Sequence, residues 1–99
     1  MRNKTTQQII RLIKKAKRPI TAQTIGEKVG LTAVNVRVGI HNLRVEGLPI
    51  GSLSRPRGGF FWATRPQQLD HTIAHFKSRL SSMRTALGGV MVARRRLRK

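Results

Sequence analysis

The sequence predicts a small α+β domain, mostly helical: three short helices, a β-hairpin and a long C-terminal fourth helix. Three observations carry this. Apolar residues recur at spacings of three and four in four separate windows. A Thr or a Pro opens each window, and a Pro or a Gly closes it. Two extended runs, the second rich in aromatics, flank a cluster of Ser, Pro and Gly.

The first helix is expected over about Thr6 to Lys17, with Ile9, Ile10, Leu12, Ile13 and Ala16 as its apolar stripe. Thr5 with Gln8 three residues on has the form of a capping box. Pro19 ends the helix, because the residue before a proline is pushed out of helical geometry. Thr21 caps a second helix, Ala22 to about Val29, with Ala22, Ile25 and Val29 on one face. Gly30 supplies a left-handed helix end. Thr32 caps a third helix, Ala33 to about Glu46, burying Val36, Gly39, Ile40 and Leu43 before Gly47 ends it. Two short helices joined by a tight turn around a glycine make a helix-turn-helix. Gly39, in the third helix, costs about 1 kcal/mol of helix stability relative to Ala, and close helix packing is expected there as its reason.

Leu48 to Leu53 and Phe60 to Thr64 are the extended runs, and the turn between them makes a hairpin with a basic tip. Alternation sends two of Phe60, Phe61 and Trp62 to one face and the third to the other, so at least one face belongs to the core. Pro66 opens the fourth helix, about Gln67 to Leu87. Gly88-Gly89 should end it. The expected organisation is a domain over 1–66, a helix over 67–87 and a basic tail over 88–99.

Charge narrows the function. The chain has 99 residues, enough for one domain, with 21 Lys and Arg against 3 Asp and Glu, a formal net charge of +18. Such an imbalance repels itself unless a polyanion is near. Residues 1–18 carry seven basic groups and no acid, and the last six residues hold five more. Basic ends of this kind suit contact with nucleic acid. With three carboxylates, no Cys and no Tyr, most catalytic chemistry lacks its reagents. No catalytic residue, metal site or cofactor is assigned. His71 and His75 share a helix face beside Asp70 but lack a third ligand. No apolar run approaches the roughly 18 residues of a membrane span, and no signal segment is expected at the N-terminus. The expected place is the cytoplasm, on a nucleoid or in a phage-infected host.

The run TAQTIGEKVGLTAVNVRVGIHNLRVEGLPI, followed by GGFFWATRPQQL, resembles a winged helix-turn-helix domain. The resemblance covers about residues 6 to 66. Its specific parts are the A-x-x-I-G-x-x-V-G-L-T core of the turn and the V-x-x-x-I-x-x-L-x-x-x-G-L register after it. The GGFFWATRPQQL segment with a helix behind it further resembles small winged-helix proteins carried by bacteriophages and prophages. The resemblance implies that the third helix enters the DNA major groove and that the hairpin wing touches backbone or minor groove. It departs from the family at Gly26, where Ala is frequent.

The outward positions of the third helix are then the candidate readers of DNA. Asn35 pairs bidentately with adenine and Arg37 with guanine, while Val38 suits a thymine methyl. His41 and Arg44 lie further along and suit phosphate. On the wing, Arg55 and Arg57 suit a narrow minor groove. Arg2, Lys4, Arg94, Arg95, Arg96, Arg98 and Lys99 are backbone contacts of the two arms.

Leu69, Ile73, Phe76, Leu80, Met83 and Leu87 alternate at four and three, a heptad seam. One reading is a homodimer through the fourth helix; the other is packing along the domain's own first helix. An antiparallel pair would set Asp70 opposite Arg84 twice but Lys77 and Arg79 each against itself, and a parallel pair would set Arg79 opposite Arg84. The partners expected are double-stranded DNA and a second copy of the chain, with no membrane. Two other classes stay open. One is a structural RNA-binding, ribosome-associated protein; the other is an adaptor that grips a host protein partner through the fourth helix or the aromatic wing.

Overall fold

In the computed structural model, which describes residues 3–54 and 58–98, the helix-turn-helix is built from α1 (Lys4–Lys15), α2 (Ala22–Val29) and α3 (Ala33–Val45). Asn3 opens α1: its Oδ1 accepts from the Thr6 N–H at 2.7 Å. The helix therefore starts two residues before the expected Thr6, and Asn3 rather than Thr5 is its cap. At the other end Ala16 is already extended. Thr21 and Thr32 cap as expected. Each hydroxyl accepts from an amide three residues on, Thr24 and Asn35 respectively, both at 3.1 Å. Each such cap contributes about 1 kcal/mol.

Between α2 and α3 the chain turns at Gly30, whose φ of 77° is left-handed. The N–H groups of Gly30 and Leu31 both donate to the Gly26 carbonyl, at 2.8 and 3.0 Å. The chain then folds back so closely that a Cβ on Gly26 would collide with the Leu31 carbonyl oxygen. Gly26 is thus required where the resemblance suggested Ala. Gly39 is different. A Cβ there meets Ile9 Cδ1 at 3.6 Å, an ordinary van der Waals contact. The expected demand for close packing at Gly39 is absent.

The three helices enclose one core of Ile9, Ile13, Ala22, Ile25, Val36, Ile40 and Leu43, joined by Ile50 from the wing. Burying each of the larger aliphatic side chains contributes about 1.5–3 kcal/mol. The wing is β1 (Ile50–Leu53) paired antiparallel with β2 (Gly59–Trp62), Ile50 opposite Trp62 and Leu53 opposite Gly59. Ile20 bridges the other edge of β2, exchanging backbone hydrogen bonds with Phe60 at 2.8 and 2.9 Å. Phe60 and Trp62 pack against the core, and the Phe61 ring lies over Gly51 on the opposite face. Behind the wing, Gln68 Oε1 accepts from the N–H groups of Thr64 and Arg65, at 2.7 and 3.1 Å. That side chain holds the turn into a single 3₁₀ turn, Pro66–Leu69.

The chain divides into two compact units, Met1–Leu69 and Asp70–Lys99. The second is α4 (Asp70–Leu97), 28 residues long. Two expectations are corrected here. Pro66 opens a 3₁₀ turn, not the α-helix itself, so Leu69 stands outside α4. Gly88-Gly89 does not end the helix, and residues 88–97 are helical where a tail was expected. The two glycines cost about 1 kcal/mol each. The strong helix formers on either side, Ala86-Leu87 before them and Met91, Ala93 to Arg96 and Leu97 after, carry the helix through, and its terminal arginines complement the negative end of the helix dipole. Among the described residues no helix is long and apolar enough to cross a membrane.

Candidate nucleic-acid interface

The site begins with a helix held by one side only. Val36, Ile40 and Leu43 anchor α3 in the core, so the positions half a turn away must face out. The structure exposes Asn35, Arg37, Val38 and His41, four of the five candidates expected on this helix. The Asn35 backbone N–H is taken by Thr32, and its amide side chain is exposed. A bidentate reader must present its side chain in that state.

Arg44 is corrected. It is half-buried, its Nε donates to the Ile50 carbonyl at 2.8 Å, and its guanidinium lies 5.4 Å from the Phe60 ring centre. It ties the end of α3 to the wing and is not on the outward face with the other four. Position in the helix explains this. Arg44 sits one turn beyond Ile40 on the edge of the buried face, where β1 leaves the core. Spacing predicts the strand but not that its Ile50 carbonyl passes beside Arg44.

The structure adds Val45 and Asn42 to the outward face. Val34 (65 % exposed), Val38 (54 %) and Val45 (74 %) form an apolar ridge along α3, with Asn42 exposed beside it. The four-residue spacing from Val34 to Val38, and the seven from Val38 to Val45, was a legible signal. Exposed β-branched side chains on a helix have no packing role, and their methyl groups match thymine C5-methyls in the major groove.

The wing's aromatic strand is clamped from both sides. Arg44 covers Phe60 from α3, and Lys14 of α1 sets its ammonium 4.6 Å from the Trp62 ring centre. Such contacts contribute about 0.5–1 kcal/mol at exposed sites, and they keep these rings from serving as open stacking surfaces. Arg55 and Arg57 of the wing tip lie outside the described residues, as do Arg2 and Lys99 of the arms. Lys4 is exposed in the first turn of α1, and Arg94, Arg95, Arg96 and Arg98 are exposed at the end of α4. Arg94, Arg95 and Arg96 project around the helix rather than along a loose arm, and Arg98 follows its last turn. His71 and His75 stack edge-to-face with ring centres 6.3 Å apart, and no group of three metal-ligating side chains occurs among the described residues.

No curated protein and no solved structure matches the chain. A protein-family model described as an HTH domain matches residues 5–61, from the first turn of α1 to the aromatic strand of the wing. With three helices, the glycine turn and a hairpin wing inside a match that spans more than half of its length, the chain belongs to the HTH family of DNA-binding domains, in the winged helix-turn-helix form.

Proposed function

We propose that the protein binds double-stranded DNA with sequence preference by laying α3 in the major groove. The observation that carries this is the outward face of α3. Asn35, Arg37, Val38 and His41 are all exposed on a helix whose other side is locked into the core. A docked helix reads bases mainly through its N-terminal half, where Val34, Asn35, Arg37 and Val38 lie. Arg55 and Arg57 then reach the minor groove beside it, while Lys4 and, on α4, Arg95 and Arg96 add phosphate contacts. Two copies joined through α4 present two reading helices. The role is that of a non-enzymatic, phage-type transcriptional regulator or of a factor that organises DNA for replication.

Selection of bound duplexes from a random pool tests the reading. The wild-type protein is expected to return a defined motif. Asn35→Ala and Arg37→Ala are each expected to lose discrimination at particular base pairs, by about 1–3 kcal/mol. If both variants return the wild-type motif, α3 is not the reader. Preference for duplex RNA in competition would also overturn the proposal, because the deep, narrow major groove of A-form RNA excludes a helix.

A further inference from the structure

Because α4 runs through Gly88-Gly89, its apolar stripe is longer than the alternation up to Leu87 indicates. Ile73, Phe76, Leu80, Met83 and Leu87 are all exposed, and Val90 and Leu97 continue the same seam, also exposed. One polar residue interrupts it: Arg94 occupies the seam position between Val90 and Leu97. Gly88 and Gly89 fall outside the seam, with nothing within 4 Å of where a Cβ would stand.

We propose that this face is covered by the α4 of a second copy, packed antiparallel. In the pairing we infer, Met83 lies against the partner's Leu87, Leu80 against the partner's Val90, and Ile73 against the partner's Leu97. The proposal rests on the two-copy reading above and specifies its geometry.

Charge placement selects this arrangement over the parallel one. A parallel pair brings the two Arg94 side chains together inside the seam. The antiparallel pair separates them to opposite ends, each facing the partner's Phe76, whose ring also takes the guanidinium of its own chain's Arg79 at 5.8 Å. Asp70 is the only carboxylate of α4. In the antiparallel register it lies across from the partner's Arg98, at both ends. In the parallel pair, the position facing Asp70 falls before the helix begins. The flanking cations follow the same preference. A parallel pair sets Arg79 against the partner's Arg84 twice. The antiparallel pair places Arg79 across from the partner's Ala93 and Lys77 across from the partner's Met91. Among these flanking pairs a single like-charge contact is left, Arg84 with the partner's Arg84 at the two-fold axis. Each DNA-binding unit joins α4 at Asp70, so the two attachment points stand at opposite ends of a helix pair about 42 Å long, at 1.5 Å per residue.

The absence of cysteine makes the test direct, since any introduced thiol is unique. His71→Cys and Thr85→Cys are both exposed and on the side of α4 away from the seam. Each is labelled with a nitroxide in the full chain, and the distance between copies is read by pulsed electron spin resonance. The antiparallel pair is expected to give about 45 Å at position 71 and a short distance, under about 25 Å, at position 85, from helix axes about 8–10 Å apart. Short and equal distances at both positions would overturn the antiparallel geometry while leaving the homodimer standing. No dipolar coupling at either position would overturn the homodimer itself. Arg84→Glu is the second arm. In the antiparallel pair it swaps one like-charge contact for another, so its self-association is expected to stay within about twofold of wild type. Mixed with the wild-type chain, it is expected to pair preferentially with it. A clear tightening of the variant's self-association would mean that the new carboxylate faces the partner's Arg79, and would overturn the antiparallel register.

Discussion

Gly26 and Gly39 are both glycines inside helices, and the helix-propensity scale treats them alike at about 1 kcal/mol below Ala. Their surroundings do not. At Gly26 the Leu31 carbonyl occupies the space a Cβ needs, and backbone cannot step aside as a flexible side chain can. Gly26→Ala is therefore expected to destabilise the domain by about 1–3 kcal/mol. At Gly39 a methyl group meets Ile9 Cδ1 at 3.6 Å and gains a contact. Gly39→Ala is expected to stabilise by about 0.5–1 kcal/mol. Urea unfolding of the two variants checks both signs. A stabilising Gly26→Ala would show that the tight turn does not require the glycine, and a destabilising Gly39→Ala that the space beside Ile9 is not open. Arg44 teaches the same lesson in charge. Counting positions along α3 places it outward, but Ile50 and Phe60 claim its guanidinium.

At the scale of elements, α3 and α4 each bury little of what they carry, for different reasons. α3 is anchored by three buried residues, with Ala33 packed beside them and Arg44 drawn to the wing, and exposes most of the remainder. α4 has Thr72 as its buried residue and keeps its apolar stripe exposed. Leu80, 60 % exposed, stands near the middle of that stripe. An aspartate there has little effect on an isolated helix, but in a closed helix pair it leaves two desolvated charges without partners, at a cost of several kcal/mol. Leu80→Asp is expected to sediment as a monomer and to keep the helical circular dichroism of the wild type. A variant that stays paired would remove the stripe from the interface.

For the whole molecule, the net charge of +18 sets how binding responds to salt. Each phosphate neutralised contributes a slope of about −0.9 to the log–log dependence of affinity on salt. Arg95 and Arg96 are exposed and lie off the α4 seam, so their removal leaves the proposed helix pair intact. The double variant Arg95→Gln, Arg96→Gln is expected to flatten the slope by up to about 1.8, with an unchanged sequence preference. Binding titrations at several salt concentrations measure it, and an unchanged slope would show that the end of α4 does not touch DNA.

Residue spacing determined the fold class, because a helix with one buried face writes its period into the chain. Ile9 and Ile13, Ala22 and Ile25, and Val36, Ile40 and Leu43 are core residues at helical intervals. Thr21, Gly30 and Thr32 mark helix ends by local chemistry that needs no distant partner. Four of the five candidate readers on α3 followed from the same arithmetic, since what is not buried on a packed helix faces out. Contacts between elements lay beyond it. The carbonyl over Gly26, the strand that claims Arg44 and the clamp of Lys14 on Trp62 join residues far apart in the chain or across a turn. The end of α4 was a contest of small terms, two glycines against the helix formers around them. Local rules assign each its cost, but only the helix as a whole decided the sum, because each added residue closes a hydrogen bond that the nucleus has already made possible.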